Sequence, residues 1–216
     1  MYGNTQTVHS NQAGIHEELA SVVLKNKDSE YRKPVAEFNR LAFDFIMKEI
    51  KGTSFNSCIL DSGCGTAYST QRLAGQFPHH LIIGIEKSAH RLRKGKSTLP
   101  NVVLVRADQF DIWRLLVVAG IKVEKHYILY PNPWPKKKHL KRRIHGHPTF
   151  SLLPQLSSAL ELRSNWRIYI DEFACAWKLV TGIEPEVIQY VVEEPTSPFE
   201  RKYVSSQHTL FSLTIN

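Results

Sequence analysis

The sequence predicts an α/β protein with a doubly wound, seven-stranded and mostly parallel sheet that ends in an antiparallel strand pair. Short apolar runs alternate with segments long enough for helices through the middle of the chain. The runs are apolar at consecutive positions, which is typical of strands in a parallel sheet covered by helices on both faces. Two further β-like runs near the end of the chain are expected to complete the sheet.

The composition is that of an ordinary globular protein. The chain has 216 residues, of which 42% are hydrophobic and 22% charged, with 11 glycines and 11 prolines. This excludes collagen-like, disordered and disulfide-framework chains, and the three cysteines form no C-x-x-C pair. No apolar stretch approaches the roughly 18 to 20 residues of a membrane span, and the start of the chain is too polar for a signal peptide. We therefore expect a cytoplasmic protein with no membrane contact.

An amino-terminal arm, residues 1–33, is expected to precede one domain, residues 34–216. In the arm, Ile15, Leu19, Val22 and Val23 recur at the spacing of a short amphipathic helix. A second helix is predicted to begin at Pro34 and to end near Gly52. Its apolar face would consist of Val35, Phe38, Leu41, Ala42, Phe45 and Ile46.

The other elements follow from the alternation of apolar runs and longer segments. Strands are predicted at Cys58–Leu60, Leu81–Ile85, Val102–Val105 and Tyr127–Tyr130. Helices are predicted at Ser69–Gln76, Ser88–Lys96, Asp111–Ala119 and Pro148–Leu160. A short strand at Leu160–Arg163 then leads to a helix from Trp166, with Ser164 or Asn165 as its cap. The tail strands are Val187–Val192 and His208–Ile215.

Acceptor groups and glycines follow the first three predicted strands. The first strand runs into Asp61-Ser62-Gly63-Cys64-Gly65-Thr66, where glycines permit a tight turn before the amides of a helix N-terminus. The turn lacks the third glycine of a dinucleotide-binding motif and the lysine of a P-loop. Glu86 ends the second strand, where a carboxylate can hold a ribose diol, and Asp108 follows the third, where it can accept from an adenine amino group.

With these motifs, D-S-G-C-G-T, G-I-E and A-D-Q, the sequence resembles the class I S-adenosylmethionine-dependent methyltransferases, which have a Rossmann-like fold. The resemblance implies S-adenosylmethionine as the cofactor. By this resemblance Asp61 contacts the methionine amino group, Gly63 and Gly65 line the cofactor, Glu86 holds the ribose and Asp108 the adenine. The cofactor carries a cationic amino group, a diol and a purine amine, each of which needs an acceptor.

A proline-stiffened loop follows the fourth strand, in the place where the transferred methyl group is expected. It reads Pro131-Asn132-Pro133-Trp134-Pro135, and Trp134 could stack on a flipped base. Six cationic residues follow within eight positions: Lys136, Lys137, Lys138, Lys141, Arg142 and Arg143. The net charge is +8, so the rest of the chain carries only 8 − 6 = +2. The charge is therefore one local patch, as expected for a phosphate-binding surface.

The run P-N-P-W-P-K-K-K-H-L-K-R-R-I narrows the resemblance to the tRNA (guanine-N7)-methyltransferases, whose signature is P-D-P-W-x-K-x-x-H-x-K-R-R. Arg163-Ser164-Asn165-Trp166 with Tyr169 resembles their A-T-D-W-x-x-Y, and Ser197-Pro198-Phe199-Glu200 with Arg201 resembles their T-K-F-E-x-R. The resemblance covers roughly residues 57 to 216. It implies structured RNA, and tRNA in particular, as the partner. The substrate-binding residues would be Lys136, Asn165, Ser197, Glu200, Trp134, Arg142 and Arg143.

Two departures from the signature leave three hypotheses open. Asn132 and Asn165 stand where the family has aspartates, and Asn132 is nonetheless our candidate for the catalytic and a cofactor-binding residue. The first hypothesis is methylation of tRNA guanine N7 or a related base. The second is methylation of an exocyclic or amide nitrogen, because those enzymes use an N-P-P-aromatic loop that Asn132-Pro133-Trp134 is similar to. The third is a cofactor- and RNA-binding protein that has lost its activity.

Three histidines, His139, His145 and His147, lie among the cationic residues of the basic run. No carboxylate or cysteine is near them in sequence to complete a metal site, so no metal is expected. We expect these histidines to extend the RNA-facing patch instead. The sequence leaves the oligomeric state and the target nucleotide open.

Overall fold

The computed structural model describes residues 5–55, 57–95 and 97–216. Seven strands of the described chain form one sheet. They are β1 (Ser57–Ser62), β2 (His80–Glu86), β3 (Val102–Arg106), β4 (Val123–Leu129), β5 (Ser157–Ser164), β6 (Glu186–Tyr190) and β7 (Leu210–Ile215). Their order is β3-β2-β1-β4-β5-β7-β6. Strand β1 pairs in parallel with β2 and β4, β2 pairs in parallel with β3, and β6 and β7 are antiparallel. The predicted fold class is thereby confirmed.

Helices separate the strands along the chain. They are α1 (Leu19–Lys27), α2 (Glu37–Gly52), α3 (Tyr68–Gln76), α4 (Ala89–Leu92), α5 (Gln109–Val118), α6 (Leu153–Leu156), α7 (Arg167–Thr181) and α8 (Pro198–Ser205). Three 3-10 segments, Lys137–Arg142, Ile144–Gly146 and Pro148–Leu152, follow the proline-rich loop. Among the described residues, no helix combines the length and the apolar character that crossing a bilayer requires.

The chain divides into two compact units. The central unit consists of Lys33–Leu129 and Gln155–Leu160, and the terminal unit of Met1–Arg32, Tyr130–Pro154 and Glu161–Asn216. The first four residues of the terminal unit and positions 56 and 96 of the central unit lie outside the described residues. The predicted division into an arm and one domain stays a prediction.

The central unit is built on continuously apolar strands, as the sequence indicated. Ile59 and Leu60 on β1 and Ile82 and Ile83 on β2 are fully buried. Gly84 allows helix α3 to pack closely on β2, because a Cβ atom there would lie 2.8 Å from the Thr70 Oγ1 atom. Any larger residue at this position would push the helix away from the strand.

The terminal unit is built around α7, which packs against α1 and β7. The rings of Phe150, Phe173 and Trp177 are buried, and the Phe173 centroid lies 5.1 Å from Phe150 and 6.4 Å from Trp177. The helical spacing of Phe173 and Trp177 therefore marks a core face.

Helix α2 buries only part of the apolar face that the sequence predicted, together with a polar residue. Phe38, Leu41 and Phe45 are 40%, 60% and 45% exposed, whereas Ile46 and the polar Asn39 are buried. The Asn39 Oδ1 atom accepts a hydrogen bond from the Asp108 backbone N–H at 2.9 Å, and its Nδ2 group donates to the Asp111 Oδ2 atom at 2.6 Å. These two bonds satisfy the amide, so a polar residue docks where an apolar one was expected.

Several predicted boundaries were wrong. The helix expected at Pro148–Leu160 ends at Leu156, because the chain enters β5 at Ser157. Helix α7 has Trp166 as its N-cap, and Ser164, predicted as a cap, lies two residues before it and accepts from the Trp166 N–H at 3.1 Å. Helix α4 ends at Leu92, and Lys96, the expected end, lies outside the described residues. Helix α8 was not predicted as a helix.

Candidate functional site

The glycine turn of the central unit joins β1 to α3 through three left-handed residues. Gly63, Gly65 and Ala67 have φ angles of 77°, 61° and 59°. The amides of Gly63 and Cys64 donate to the Ile85 carbonyl at 2.8 and 3.0 Å, which fixes the turn against the end of β2. Helix α3 begins with Ala67 as its N-cap and has no side-chain cap. The N-terminus of α3 thus follows the glycine turn directly, an arrangement that favours an anionic group at other helix N-termini.

Asp61 lies at the end of β1 and is almost fully buried. Its Oδ2 atom accepts hydrogen bonds from the hydroxyls of Ser69 and Thr70, both at 2.7 Å. Burial raises the pKa of this carboxyl to about 6, and the two hydroxyl hydrogen bonds oppose the rise. A buried carboxylate of this kind is stabilised by a cation placed against it.

Glu86, at the end of β2, is also buried and is held by backbone amides. Its Oε2 atom accepts from the Gly65 N–H at 3.1 Å, and its Oε1 atom accepts from the Ser88 N–H at 2.6 Å. Each carboxylate oxygen has a second lone pair, so Glu86 can accept two further hydrogen bonds. The side chain is therefore a fixed acceptor beside the glycine turn.

Asp108 follows β3 and is the N-cap of α5. Its Oδ1 atom accepts from the Phe110 N–H at 3.1 Å and its Oδ2 atom from the exposed Lys87 Nζ group at 2.8 Å. Asn39 holds the Asp108 backbone, and the Gln109 Oε1 atom lies 3.6 Å from the position of a Cβ on Gly63. Sequence reasoning missed Asn39 and Gln109 as neighbours of this site. No local signal could identify Asn39, because its partners lie about seventy positions away in the chain.

The structure brings the predicted cofactor residues of the central unit to one edge of the sheet. Strands β1, β2 and β3 are parallel neighbours, with Asp61 paired to Gly84 and Glu86 to Arg106. Asp61, Glu86 and Asp108 therefore follow three adjacent strands at their carboxyl ends, which is where ligands bind in open α/β sheets. Their chemistry suits a ligand with a cationic group, a diol and an amine. Among the described residues, no neighbouring atom would lie within 4 Å of a Cβ atom at Gly65, so space is open at the turn.

The proline-rich loop belongs to the terminal unit. Asn132 is exposed, and its Oδ1 atom accepts from the Trp134 N–H at 3.3 Å. Trp134 has a φ of 45°, and the Arg142 guanidinium lies 4.8 Å from the centroid of its ring. The cation lies over the indole, and the His139 ring packs edge-on against the same indole, with centroids 5.4 Å apart.

Four cationic residues of the basic run are exposed: Lys136, Lys138, Lys141 and Arg142. Lys137 instead forms an ion pair with Glu17 of the arm at 2.9 Å. Arg143 was predicted to bind RNA, and this prediction was wrong because its side chain is fully buried. The same correction applies to His145, which is also fully buried and therefore not part of an exposed patch. Within the described residues, no cluster of three or more potential metal ligands is found.

Arg143 and His145 belong to a buried polar cluster centred on Glu172 of α7. The Arg143 guanidinium and the Gln12 amide donate to Glu172, which also accepts from His145 at 2.8 Å and from the His16 N–H at 3.0 Å. The Nε and Nη2 groups of Arg143 donate to the Trp134 carbonyl, both at 3.2 Å. The cluster thus connects the arm, the proline-rich loop and α7. Gln12 and Glu172 were missed by sequence reasoning because nothing local marks residues so distant in the chain as partners.

The remaining predicted substrate residues are placed in and around α8 and β5. Ser197 and Glu200 were predicted to bind the substrate; both have partners within the terminal unit, and their contact with the substrate stays a prediction. The Ser197 hydroxyl caps α8 by accepting from the Glu200 N–H at 3.0 Å. The fully buried Glu200 accepts from Tyr130 at 2.6 Å, from Arg163 at 2.9 Å and from the Thr196 N–H at 2.5 Å. Asn165 is half-buried, and its Nδ2 group lies 3.1 Å from the His208 Nδ1 atom.

Comparison with known proteins identifies a family and a set of relatives. The model of the family described as "Putative methyltransferase" matches residues 56–213. A tRNA (guanine-N(7)-)-methyltransferase of Chlorobium phaeobacteroides is 29% identical over 174 residues, which are 76% of this chain and 83% of the relative. Proteins of the same name from a Nocardioides species and from Aquifex aeolicus are 29% and 27% identical over 72% of this chain. The chain spans 65% and 55% of these two relatives, less than two thirds of their length.

Solved structures resemble the fold. An antibiotic-related methyltransferase has a TM-score of 0.58 and 15% identity, with 88% of this chain and 97% of that chain covered. The 16S rRNA methyltransferase KamB also has a TM-score of 0.58, with 17% identity and 85% and 95% covered. At these identities the likeness concerns the fold alone.

Proposed function

The chain belongs to the methyltransferase family whose model spans residues 56–213, and from this premise we propose that it transfers the methyl group of S-adenosylmethionine to a base of cytoplasmic tRNA, with guanine N7 as the target atom. Relatives named tRNA (guanine-N(7)-)-methyltransferase that match about three quarters of the chain support this choice of substrate. The function is enzymatic, and the partner is structured RNA.

The three carboxylates at the carboxyl ends of adjacent parallel strands carry the proposal for the cofactor. Asp61 would hold the cationic amino group, Glu86 the ribose hydroxyls and Asp108 the adenine amino group. Gly63 and Gly65 let the backbone approach the cofactor, and the N-terminus of α3 beside them suits its carboxylate. When bound, S-adenosylmethionine supplies a methyl group already activated by the sulfonium charge.

The exposed cations of the terminal unit support the proposal for the substrate. Four residues of the basic run are exposed: Lys136, Lys138, Lys141 and Arg142. Arg143 is buried and is therefore not among them. We assign them to phosphate contacts, which position RNA without reading its sequence. Trp134 presents an indole beside them for stacking, and Asn132 and Asn165 supply amides that can hydrogen-bond a base.

Methylation of guanine N7 requires little from the protein beyond alignment of the base with the methyl group. The N7 atom has a free lone pair and carries no proton, so no general base is needed to expose the nucleophile. The base becomes positively charged as the methyl group arrives, and a polar group beside it stabilises that charge. In the proposed reaction Asn132 orients the base by hydrogen bonds, and most of the acceleration comes from proximity and alignment.

The decisive experiment measures transfer of labelled methyl from S-adenosylmethionine to total small RNA, followed by digestion and identification of the labelled nucleoside. Label in 7-methylguanosine is the expected result. Label in a nucleoside methylated on an exocyclic nitrogen would instead favour the amine-directed reaction that Asn132-Pro133-Trp134 allows. Unlabelled RNA together with cofactor binding would show a protein that binds without catalysis.

A substitution at Asn132 tests whether the amide limits the rate. A carboxylate neutralises developing charge on the base, which an amide cannot do, so N132D should raise kcat for guanine N7 by about 10²-fold. The KM for S-adenosylmethionine should change little, and N132A should be slower than the wild type. Equal rates for N132D and N132A would show that the side chain of residue 132 does not stabilise the transition state.

A further inference from the structure

Three aromatic rings of the terminal unit form a nearly parallel series, which we call the aromatic series. Phe199 and Tyr203 lie one turn apart on α8, with ring centroids 6.4 Å apart and planes inclined by 28°. The Tyr203 and His208 rings follow at 5.2 Å and 26°. Such an offset, near-parallel arrangement is a preferred geometry for aromatic side chains.

The series is held at one end and open at the other. At the held end, the His208 Nε2 group lies 2.9 Å from the Thr5 carbonyl, to which it donates. The His208 Nδ1 atom therefore accepts from the Asn165 Nδ2 group at 3.1 Å. At the open end, Phe199 is 46% exposed. A rigid aromatic ring is thus presented to solvent with its orientation fixed from behind.

The surface of α8 around the exposed Phe199 ring is cationic. Arg201 and Lys202 are exposed, and the single acidic residue of the helix, Glu200, is fully buried against Arg163. The outer surface of α8 is therefore aromatic and cationic. Proteins that bind single-stranded nucleic acid combine these two features, with bases stacked on aromatic rings and the backbone near cations.

We infer that Phe199 stacks on an unpaired nucleobase of the RNA substrate and that Lys202 contacts the adjoining phosphate. This inference rests on the proposed function, because it needs RNA as the substrate. A solitary exposed phenylalanine would need no explanation. Phe199 differs because it ends a fixed series of parallel rings and has cations on the same helix.

Variants of Phe199 distinguish stacking of its ring on a base from the effect of side-chain size. F199A removes the ring, F199L keeps an apolar side chain of similar size without a π face, and F199W restores a larger ring. V204A is the matched control, because Val204 is 43% exposed on the same helix and lies outside the aromatic series. Filter binding to a pool of unmodified tRNA transcripts and to a 20-base-pair RNA duplex provides the readout, with calorimetric binding of S-adenosylmethionine alongside.

F199A and F199L should bind the tRNA transcripts about tenfold more weakly, because each loses the stacking of one base. The slope of log affinity against log salt concentration should not change, because no charge is removed. F199W and V204A should bind like the wild type, and no variant should change binding of the duplex or of the cofactor. If F199L binds the transcripts like the wild type, the stacking inference fails while the proposed function stands. A wild-type protein that binds no transcript overturns both.

Discussion

Asp61, which we propose as a cofactor ligand, reduces the stability of the fold because it is buried. Burial raises its pKa from 3.8 to about 6 although Ser69 and Thr70 donate hydrogen bonds to it. The folded chain therefore holds a proton on Asp61 in a pH range where the unfolded chain has lost it. Consequently this carboxyl lowers the free energy of unfolding as the pH rises from about 4 to about 6.

D61N should remove this pH dependence. From pH 4 to pH 8, the free energy of unfolding of D61N minus that of the wild type should increase by about 2 to 3 kcal/mol, because only the wild type loses stability over this range. Urea unfolding at both pH values measures the change, and D44N, at an exposed position on α2, is the control. The same substitution should weaken binding of S-adenosylmethionine, because the neutral amide attracts its amino group less strongly. A pH-independent effect of D61N on stability would contradict the role of desolvation.

At the level of elements, the cluster around Glu172 makes the arm part of the terminal unit. Glu172 accepts from Gln12, His16, Arg143 and His145, and Arg143 also holds the Trp134 carbonyl. Although burial opposes it, the hydrogen bond and charge of His145 and then those of Arg143 lower the pKa of Glu172 to about 2. The cluster therefore stabilises the fold above about pH 4.5, and this contribution is lost as the pH falls towards 2.

E172Q should lower the free energy of unfolding by about 3 kcal/mol or more, because it leaves the buried Arg143 charge without its counter-ion. Urea unfolding at pH 7 provides the measurement. The matched control is E18Q, since Glu18 is an exposed glutamate of the same arm. The difference between E172Q and the wild type should shrink below pH 4. A loss under about 0.5 kcal/mol would mean that the cluster adds no net stability.

Local patterns predicted the strands and the acidic side chains at their carboxyl ends, and they failed where partners distant in the chain determine the structure. Strands β1, β2 and β3 were predicted within two residues because each contains a continuous apolar run, whereas β4 begins at Val123, four residues before the predicted Tyr127, because its first half is polar. Helix α2 ends as predicted but begins at Glu37, not Pro34, and it buries Ile46 of the predicted face together with Asn39, whose docking depends on Asp108 and Asp111. Arg143 was taken for a surface cation for the same reason. Its partners, Gln12 and Glu172, lie more than a hundred positions before it and 29 after it.

For the whole molecule, the sign and location of the charge decide how RNA would be bound. The net charge is +8, and the basic run held six of these charges in the sequence. In the structure, Arg143 is buried in the core and Lys137 forms an ion pair with Glu17. Four exposed cations therefore remain in that run. The patch is smaller than the sequence indicated. Its effect must be distinguished from the general attraction that a cationic protein exerts on any polyanion.

Two charge-matched triple variants make that distinction. The patch variant K136Q/K138Q/R142Q and the control K48Q/K51Q/K122Q each remove three charges from exposed positions. Each lost phosphate contact lowers the slope of log affinity against log salt concentration by about 0.7 to 0.9, so the patch variant should lose about 2 units of slope for tRNA transcripts. The control should keep the wild-type slope, because its lysines attract RNA only at a distance. Equal changes in both variants would mean that net charge, and not the patch, binds the RNA.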